Sequence, residues 1–386
     1  MTYPLSSPDS VPPAAIEAAI TSLRSGQLTM GRTVERFEQA FAAAVGAPYA
    51  VMVNSGSSAN LLAVEAMLRP ANQLPRWKVG DEVLVPALAW STTVWPLVQL
   101  GLVPVFVDVD RETLAIDWAH ASRMLSHKTR GAVLIHVLGR PAPIDEAVHF
   151  CAGHGLTLIE DCCESFGATA GGVSVGRQGL LGTFSHFFSH PLATIEGGTI
   201  ITANAQIADD LRSMRSHGWS RQRTDRASWT GLDSRFCFVT TGYNVRPMEL
   251  QAAIGLVQLE TWRRQRDARG ATAAALADVV RSVRGLDVPA GRWAWMNLPI
   301  LVSDDAPYTR DAVMAAFEAA DVETRPLIAG NLLRHPAMAT LTYRRAAAYP
   351  VADWLMDHAF MIGCHGSADR AVAAVERACR ALVKAA

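Results

Sequence analysis

Between residues 50 and 202, short apolar, β-branched runs alternate with stretches of helical periodicity, and this alternation constrains the possible fold more than any other feature. The runs fall at 50–53, 82–86, 104–107, 132–137, 156–159 and 198–202. Helix candidates between them include 58–68, with Ser57 or Ser58 placed to cap it, and 142–153. Such a pattern is expected of an α/β sheet covered by helices on both faces, that is, a large three-layer α/β/α domain. Residues 248–268 read as one long helix, apolar at Leu250, Ala253, Ile254 and Val257, with Gly270 interrupting it. That interruption is read as a hinge, giving an expected large domain over 1–260, N-terminal segment included, and a smaller C-terminal α+β domain over 261–386. The smaller domain carries a strand candidate at 294–301 and helices at 311–320 and 368–385.

Composition then narrows the partners. The 386 residues are 50% hydrophobic and 18% charged, ample for a packed core. A formal net charge of -1, with no basic block longer than pairs such as Arg263-Arg264, argues against nucleic acid or an anionic membrane surface and for a small-molecule ligand. No apolar run approaches the roughly 18 to 20 residues that span a bilayer. Residues 1–13 lack the basic-then-apolar order of a secretory signal, so a cytoplasmic location is expected. Six cysteines without a CxxC pair indicate buried thiols rather than disulfides or zinc, and no metal is expected. The chain has three lysines, Lys78, Lys128 and Lys384.

Four motifs fall in chain order at places where such a sheet presents ligands. Asn54-Ser55-Gly56-Ser57-Ser58-Ala59-Asn60 lies where a strand ends and a helix begins, so backbone N–H groups, hydroxyls and the positive helix end converge into a phosphate cradle. A plain Gly/Ser helix cap has the same sequence. Trp90, after the second strand, has the surface to stack on an aromatic cofactor or to pack in the core. Ile159-Glu160-Asp161-Cys162-Cys163-Glu164-Ser165 puts acidic residues at a strand's C-terminal end, where Asp161 either holds a protonated pyridine nitrogen or caps the next segment. The fourth stretch runs from Thr183 through Ser185, Ser189 and His190 to Glu196-Gly197-Gly198, just before an apolar strand.

Together with Gly242-Tyr243-Asn244-Val245-Arg246, this order resembles the DegT-type sugar aminotransferase family over nearly the whole chain. The resemblance implies a pyridoxal-phosphate enzyme of the aspartate-aminotransferase fold, fold type I. In that family the residue six before the Glu of Glu-Gly-Gly is the lysine that bonds the cofactor; here it is His190. None of the three lysines lies near that position, so the cofactor is expected to be held noncovalently and to work from its pyridoxamine form. Imidazole titrates near neutrality, so His190 can take the cofactor's C4′ proton and protonate a hydroxyl leaving from the neighbouring carbon. The resemblance narrows accordingly, through 215–221, 242–247 and 324–331, to the branch of the family that dehydrates GDP-4-keto-6-deoxymannose at C3 in colitose biosynthesis.

Carried over residue by residue, the resemblance places Gly56, Ser57 and Ser185 on the cofactor phosphate, with Asn244 reaching it from the other subunit of a homodimer. Trp90 stacks on the ring, Asp161 pairs with its nitrogen and Glu164 sits beside it. His217, Arg221, Arg246 and Glu323 line the sugar side, and Gln27 and Thr29 touch the nucleotide sugar. Each of these last six has a plain surface or structural reading as well. A related branch adds an iron–sulfur cluster, which needs several thiolates in one place; between Arg215 and Tyr243 there is only Cys237, so no cluster is expected. The implied cycle yields a 4-keto-3,6-dideoxy sugar and regenerates pyridoxamine phosphate from L-glutamate. Pro191 and the segment 221–236 depart from the family pattern and leave sugar and nucleotide open. Two competing readings remain, an aminotransferase with a replaced lysine and a noncatalytic binding relative.

Overall fold

The structure, a computed structural model, describes residues 2–69, 76–229, 231–233 and 235–385. Seven strands form one sheet in the spatial order Tyr49–Val53, Gly198–Thr202, Leu181–Ser185, Thr157–Asp161, Thr129–Ile135, Glu82–Pro86, Val103–Val107. The last five run parallel, whereas Gly198–Thr202 is antiparallel to both of its neighbours. Parallel strands need crossover connections, and the helices that supply them cover both faces. Hence every residue of Glu82–Pro86, Thr157–Asp161, Leu181–Ser185 and Gly198–Thr202 is buried. The helix Gly56–Met67 is apolar nearly all round and correspondingly buried, while Arg32–Val45 buries the single stripe Val34, Phe37, Phe41 and Val45.

The second sheet is antiparallel and smaller, in the order Leu286–Asp287, Asn297–Val302, Ala359–Gly363, Thr324–Pro326. The start of the chain joins it: Tyr3 pairs with Val322, and its hydroxyl donates to the His365 carbonyl at 2.8 Å. Residues 104–108 and 344–352 tie the two sheets together. Arg344 adds to the edge strand beside Val105, and the Asp108 carboxylate accepts the N–H groups of Val351 and Ala352 at the start of helix Pro350–His358. The exposed edge of the large sheet is thereby covered.

Several expectations shift. Gly270 does not interrupt a helix: Glu249–Arg281 is continuous. A glycine inside a helix costs about 1 kcal/mol. Burial of Trp262 before it, and of Ala273, Leu276 and Val280 after it, outweighs that cost. The expected division at 260/261 thus falls within a continuous helix, and residues 3–5 side with the smaller sheet. The strand read at 132–137 is Thr129–Ile135, and Val137–Gly139 turns away with Leu138 at φ 51°. Strands Leu181–Ser185 and Ala359–Gly363 were hidden in sequence because glycine, serine and methionine dilute their β-branched signal. Among the described residues no helix is long and apolar enough to cross a membrane.

A buried ion pair locks the large sheet to the helix before it. The Glu38 carboxylate accepts from Met52 N at 2.8 Å and from Arg215 Nη1, and Arg215 Nη2 donates to Gln222 Oε1 at 2.9 Å. Removing one partner strands the other charge in the core. Arg215→Met is therefore expected to lower unfolding free energy by roughly 3–5 kcal/mol in urea titrations. The double variant with Glu38→Gln should recover part of that loss.

Candidate active site

In strand Thr157–Asp161 the last two residues point to opposite faces, as strand geometry requires. Glu160 turns inward, where it accepts from Gly176 N, Gln178 N and Gly179 N and meets His136 Nε2 at 2.9 Å. His136, Glu160 and Cys162 form the one described group of side chains close enough to share a metal. Its lone pairs are already committed, however, because His136 Nδ1 accepts from Ala142 N at 3.0 Å. Asp161 turns outward into a cavity of about 360 Å³ at the C-terminal ends of the parallel strands, roofed by the smaller sheet. Open α/β sheets bind their ligands at this place.

Asp161 is 4% exposed, and a buried carboxylate needs donors. Its Oδ2 accepts from Asn60 Nδ2 at 2.9 Å and from Thr93 Oγ1 at 2.7 Å, and its Oδ1 from Cys163 N at 3.1 Å. It thus caps the following segment and faces the cavity at once. Across the cavity, Ser55 Oγ caps helix Gly56–Met67 by accepting from Ser58 N at 3.1 Å. Gly56 packs so tightly on the next strand that a Cβ there would lie 2.5 Å from Ser185 Cβ. Only glycine allows this approach, which brings the Ser57 and Ser185 side chains and the helix N-terminus to one end of the cavity. One end of the cavity therefore suits a phosphate and the other a protonated ring nitrogen, the donor set of a phosphorylated pyridine cofactor.

His190 lines the same cavity. Its Nδ1 lies 3.4 Å from Ser189 Oγ, and its ring stands edge-on to Phe187. Burial pushes the imidazole down to about 4, against the pull of the Asp161 charge. Glu164 Oε2 accepts from Leu138 N at 2.8 Å. Burial pushes its carboxyl up to about 7; the Leu138 N–H opposes the rise and the Asp161 charge adds to it. Trp90 is 56% exposed at the N-terminus of helix Ser91–Gln99, forming a wall of the cavity rather than part of the core. Lys78, Lys128 and Lys384 are all exposed, and none lines the cavity.

Seven of the expected site residues, Gly56, Ser57, Trp90, Asp161, Glu164, Ser185 and His190, share this cavity. Thr29, Arg221 and Arg246 line a second one of about 220 Å³ with Arg212 and Trp219, where both Arg221 and Arg246 lie over the Trp219 ring. His217, at φ 62°, packs edge-on against Trp219, and exposed Asn244 accepts from Arg246 Nε. Gln27 is exposed and lines neither cavity. Glu323 also lines neither; it accepts from Leu5 N at 2.8 Å and pairs with Arg325. Sequence reasoning overlooked Asn60, which stands in the motif quoted for Ser57, and Thr93, three residues after Trp90. It also gave no signal for Leu5, Met296 or Ile328, which the smaller sheet and the chain start bring into the cavity.

Residues 12–382 match the model of the DegT/DnrJ/EryC1/StrS aminotransferase family. A GDP-4-keto-6-deoxy-D-mannose 3-dehydratase of Escherichia coli O55:H7 is 38% identical over 345 residues, covering 87% of this chain and 88% of that protein. The structure of an E. coli GDP-4-keto-6-deoxy-D-mannose-3-dehydratase with bound hydrated PLP superposes with a TM-score of 0.92 at 35% identity, over 99% of this chain and all of that one. A GDP-4-keto-6-deoxymannose-3-dehydratase with a trapped PLP-glutamate geminal diamine gives 0.91 at 35% identity, over 97% of this chain and 99% of that one.

The raised Glu164 carboxyl carries a stability signature. Between about pH 4.5 and 7 the folded protein holds a proton there that the unfolded chain releases, so stability falls as pH rises through this window. Glu164→Gln removes that loss. Thermal melts of the cofactor-free variant are expected to match the wild type near pH 4.5 and to exceed it at pH 8 by the equivalent of roughly 3 kcal/mol. Parallel pH dependence in the two proteins would contradict this.

Proposed function

The chain belongs to the DegT/DnrJ/EryC1/StrS aminotransferase family, and from that premise we propose that it is a pyridoxal/pyridoxamine-phosphate enzyme that removes the C3 hydroxyl of a nucleotide-linked 4-keto-6-deoxyhexose. The product is a 4-keto-3,6-dideoxy sugar. One observation carries the reading: the cavity that fits the cofactor holds His190 and no amine, while all three lysines are exposed elsewhere. Gly56, Ser57 and Ser185 hold the phosphate, Asp161 the ring nitrogen, and Trp90 and Glu164 flank the ring. The bound cofactor supplies an amine that condenses with the keto group and a ring that accepts the electrons of the broken bond.

His190 moves the proton. Burial keeps its imidazole neutral at pH 7, so it begins as an acceptor. With Nδ1 beside Ser189, Nε2 is the nitrogen that takes up the proton and delivers it to the departing C3 hydroxyl. The side chain ends as it began, and the oxygen leaves as water. L-Glutamate restores the amine form of the cofactor, a reading supported by the relative trapped with a PLP-glutamate adduct.

The working unit is a homodimer. Asn244 stands outside the cavity of its own chain, and Trp229, Leu232, Phe236, Phe238 and Met248 leave an apolar surface on the same stretch. There a second copy receives Asn244 at its cofactor phosphate, and the cavity lined by Thr29, Arg221 and Arg246 joins the sugar-nucleotide side. His217, Gln27 and Glu323 border that side. Six free cysteines suit a reducing cytoplasm.

Mass spectrometry of products formed from pyridoxal phosphate, glutamate and GDP-4-keto-6-deoxymannose tests the function. The wild type is expected to yield a sugar lacking the C3 oxygen. His190→Asn should lose roughly 10²–10⁴-fold in rate, the usual contribution of a positioned acid–base group. An amino sugar from the wild type would make the protein an aminotransferase instead. For the assembly, sedimentation is expected to give a dimer, and mixing inactive Asn244→Ala with inactive His190→Asn should restore activity through one intact shared site. A cofactor-binding monomer would refute the dimer.

A further inference from the structure

The cavity has two unlike walls. Hydroxyls, carboxylates and His190 come from the large sheet, whereas Leu5, Met296, Ile328 and Met361 come from the smaller sheet and the chain start. Two of these apolar side chains are held with unusual firmness. Ile328 is 9% exposed and sits at φ 50°, a left-handed conformation that is costly for a β-branched residue. Its turn is closed by Gly330 N donating to the Leu327 carbonyl at 2.9 Å. Beyond it, Asn331 Nδ2 donates to Asp353 Oδ1 at 2.9 Å and Leu332 N to the Ala87 carbonyl at 2.9 Å. With Pro326 paired to Phe360 before it and these bonds after it, the backbone at 328 would suit glycine, yet the position carries a four-carbon side chain against the cavity.

Leu5 is clamped from both sides as well. Its N–H donates to Glu323 Oε2 at 2.8 Å, and its carbonyl accepts from Asn297 Nδ2 at 2.9 Å. Asn297 also lines the cavity, with one of its amide N–H groups spent on the Leu5 carbonyl. Ser6 is the other polar side chain at this wall.

We propose that Leu5 and Ile328 form the subsite for the C6 methyl group of the sugar and reject a hydroxyl there, with Glu323 as the positioning residue that sets Leu5; the identity of the ring rests on the dehydratase reading. A 6-deoxy sugar differs from its parent hexose by a methyl in place of a hydroxymethyl group. Against the Leu5 and Ile328 side chains themselves, which carry no donor or acceptor, the hydroxyl gives up water without gaining a partner. Apolar pockets discriminate against one added hydroxyl by roughly 100-fold.

Calorimetric titration of the PLP-loaded protein with GDP-6-deoxymannose and with GDP-mannose tests the subsite. Neither ligand has a 4-keto group, so binding is read without turnover. The wild type is expected to prefer the 6-deoxy ligand by roughly 100-fold. Ile328→Gly, Leu5→Ala and Glu323→Ala should each cut that preference by about 10-fold or more, with Glu323→Gln, which keeps the acceptor, close to wild type. Melting curves establish that each variant is folded. Equal binding of both ligands by the wild type, binding of neither, or a preference unchanged in Leu5→Ala and Ile328→Gly overturns the proposal. So does a wild-type preference for GDP-mannose that Ser6→Ala removes, which would show a hydrogen bond accepting the hydroxyl at this wall. Selectivity that depends on Ile328 without turnover of the 4-keto substrate would keep the subsite and remove the dehydratase reading; intact turnover with unchanged selectivity would do the reverse.

Discussion

The Asp161 carboxylate is the interaction on which the rest of the site depends. A charge buried at a strand end is tolerated only where donors surround it. Here they come from three directions: Asn60 on the helix after the first strand, Thr93 on the helix after Trp90, and the backbone of Cys163. Asn60 extends the network by accepting from Thr183 Oγ1 at 2.6 Å, one strand over. The segments carrying the phosphate cradle, the aromatic wall and His190 are thus registered against one carboxylate before any ligand arrives. Such preorganisation is what lets a site act on charge without moving.

The absent lysine gives this frame its chemical direction. An amine at position 190 would bond the cofactor; an imidazole there can only move protons. Burial lowers its basicity to the point where it is neutral in the resting protein. Meanwhile Glu164, close to Asp161 in the same cavity, is pushed towards retaining its proton. Environment has moved the two groups in opposite senses from their ordinary values, as expected where one site must both accept and hold protons. The smaller sheet completes the enclosure from the other side, with an apolar wall whose backbone is strained at Ile328.

Much of this was legible in the chain. Four of the five parallel strands announced themselves as apolar runs, and the Gly-Ser turn, Asp161 and His190 stood near strand ends where ligands gather. What stayed hidden has physical reasons. Leu181–Ser185 lies inside the sheet, but Gly182, Thr183 and Ser185 interrupt its apolar residues, so its burial follows from its neighbours more than from its own composition. Gly270 reads as a breaker because propensity is local, whereas the helix is held by packing along its whole length. Leu5 and Glu323 meet across 318 residues, a contact no spacing rule reaches. Glu323, which the family resemblance puts on the sugar side, holds the N–H of Leu5 in the fold.

Borohydride reduction of the pyridoxal-phosphate-loaded protein, followed by intact-mass measurement after denaturation, tests the central claim most directly. Reduction fixes any cofactor bonded to a lysine and leaves a noncovalent one free to leave. The account predicts the unmodified chain mass, with the cofactor bound before denaturation and lost afterwards. A phosphopyridoxyl group retained on Lys78, Lys128 or Lys384 would contradict it, because the cofactor would then be anchored by an amine that this fold keeps away from Asp161.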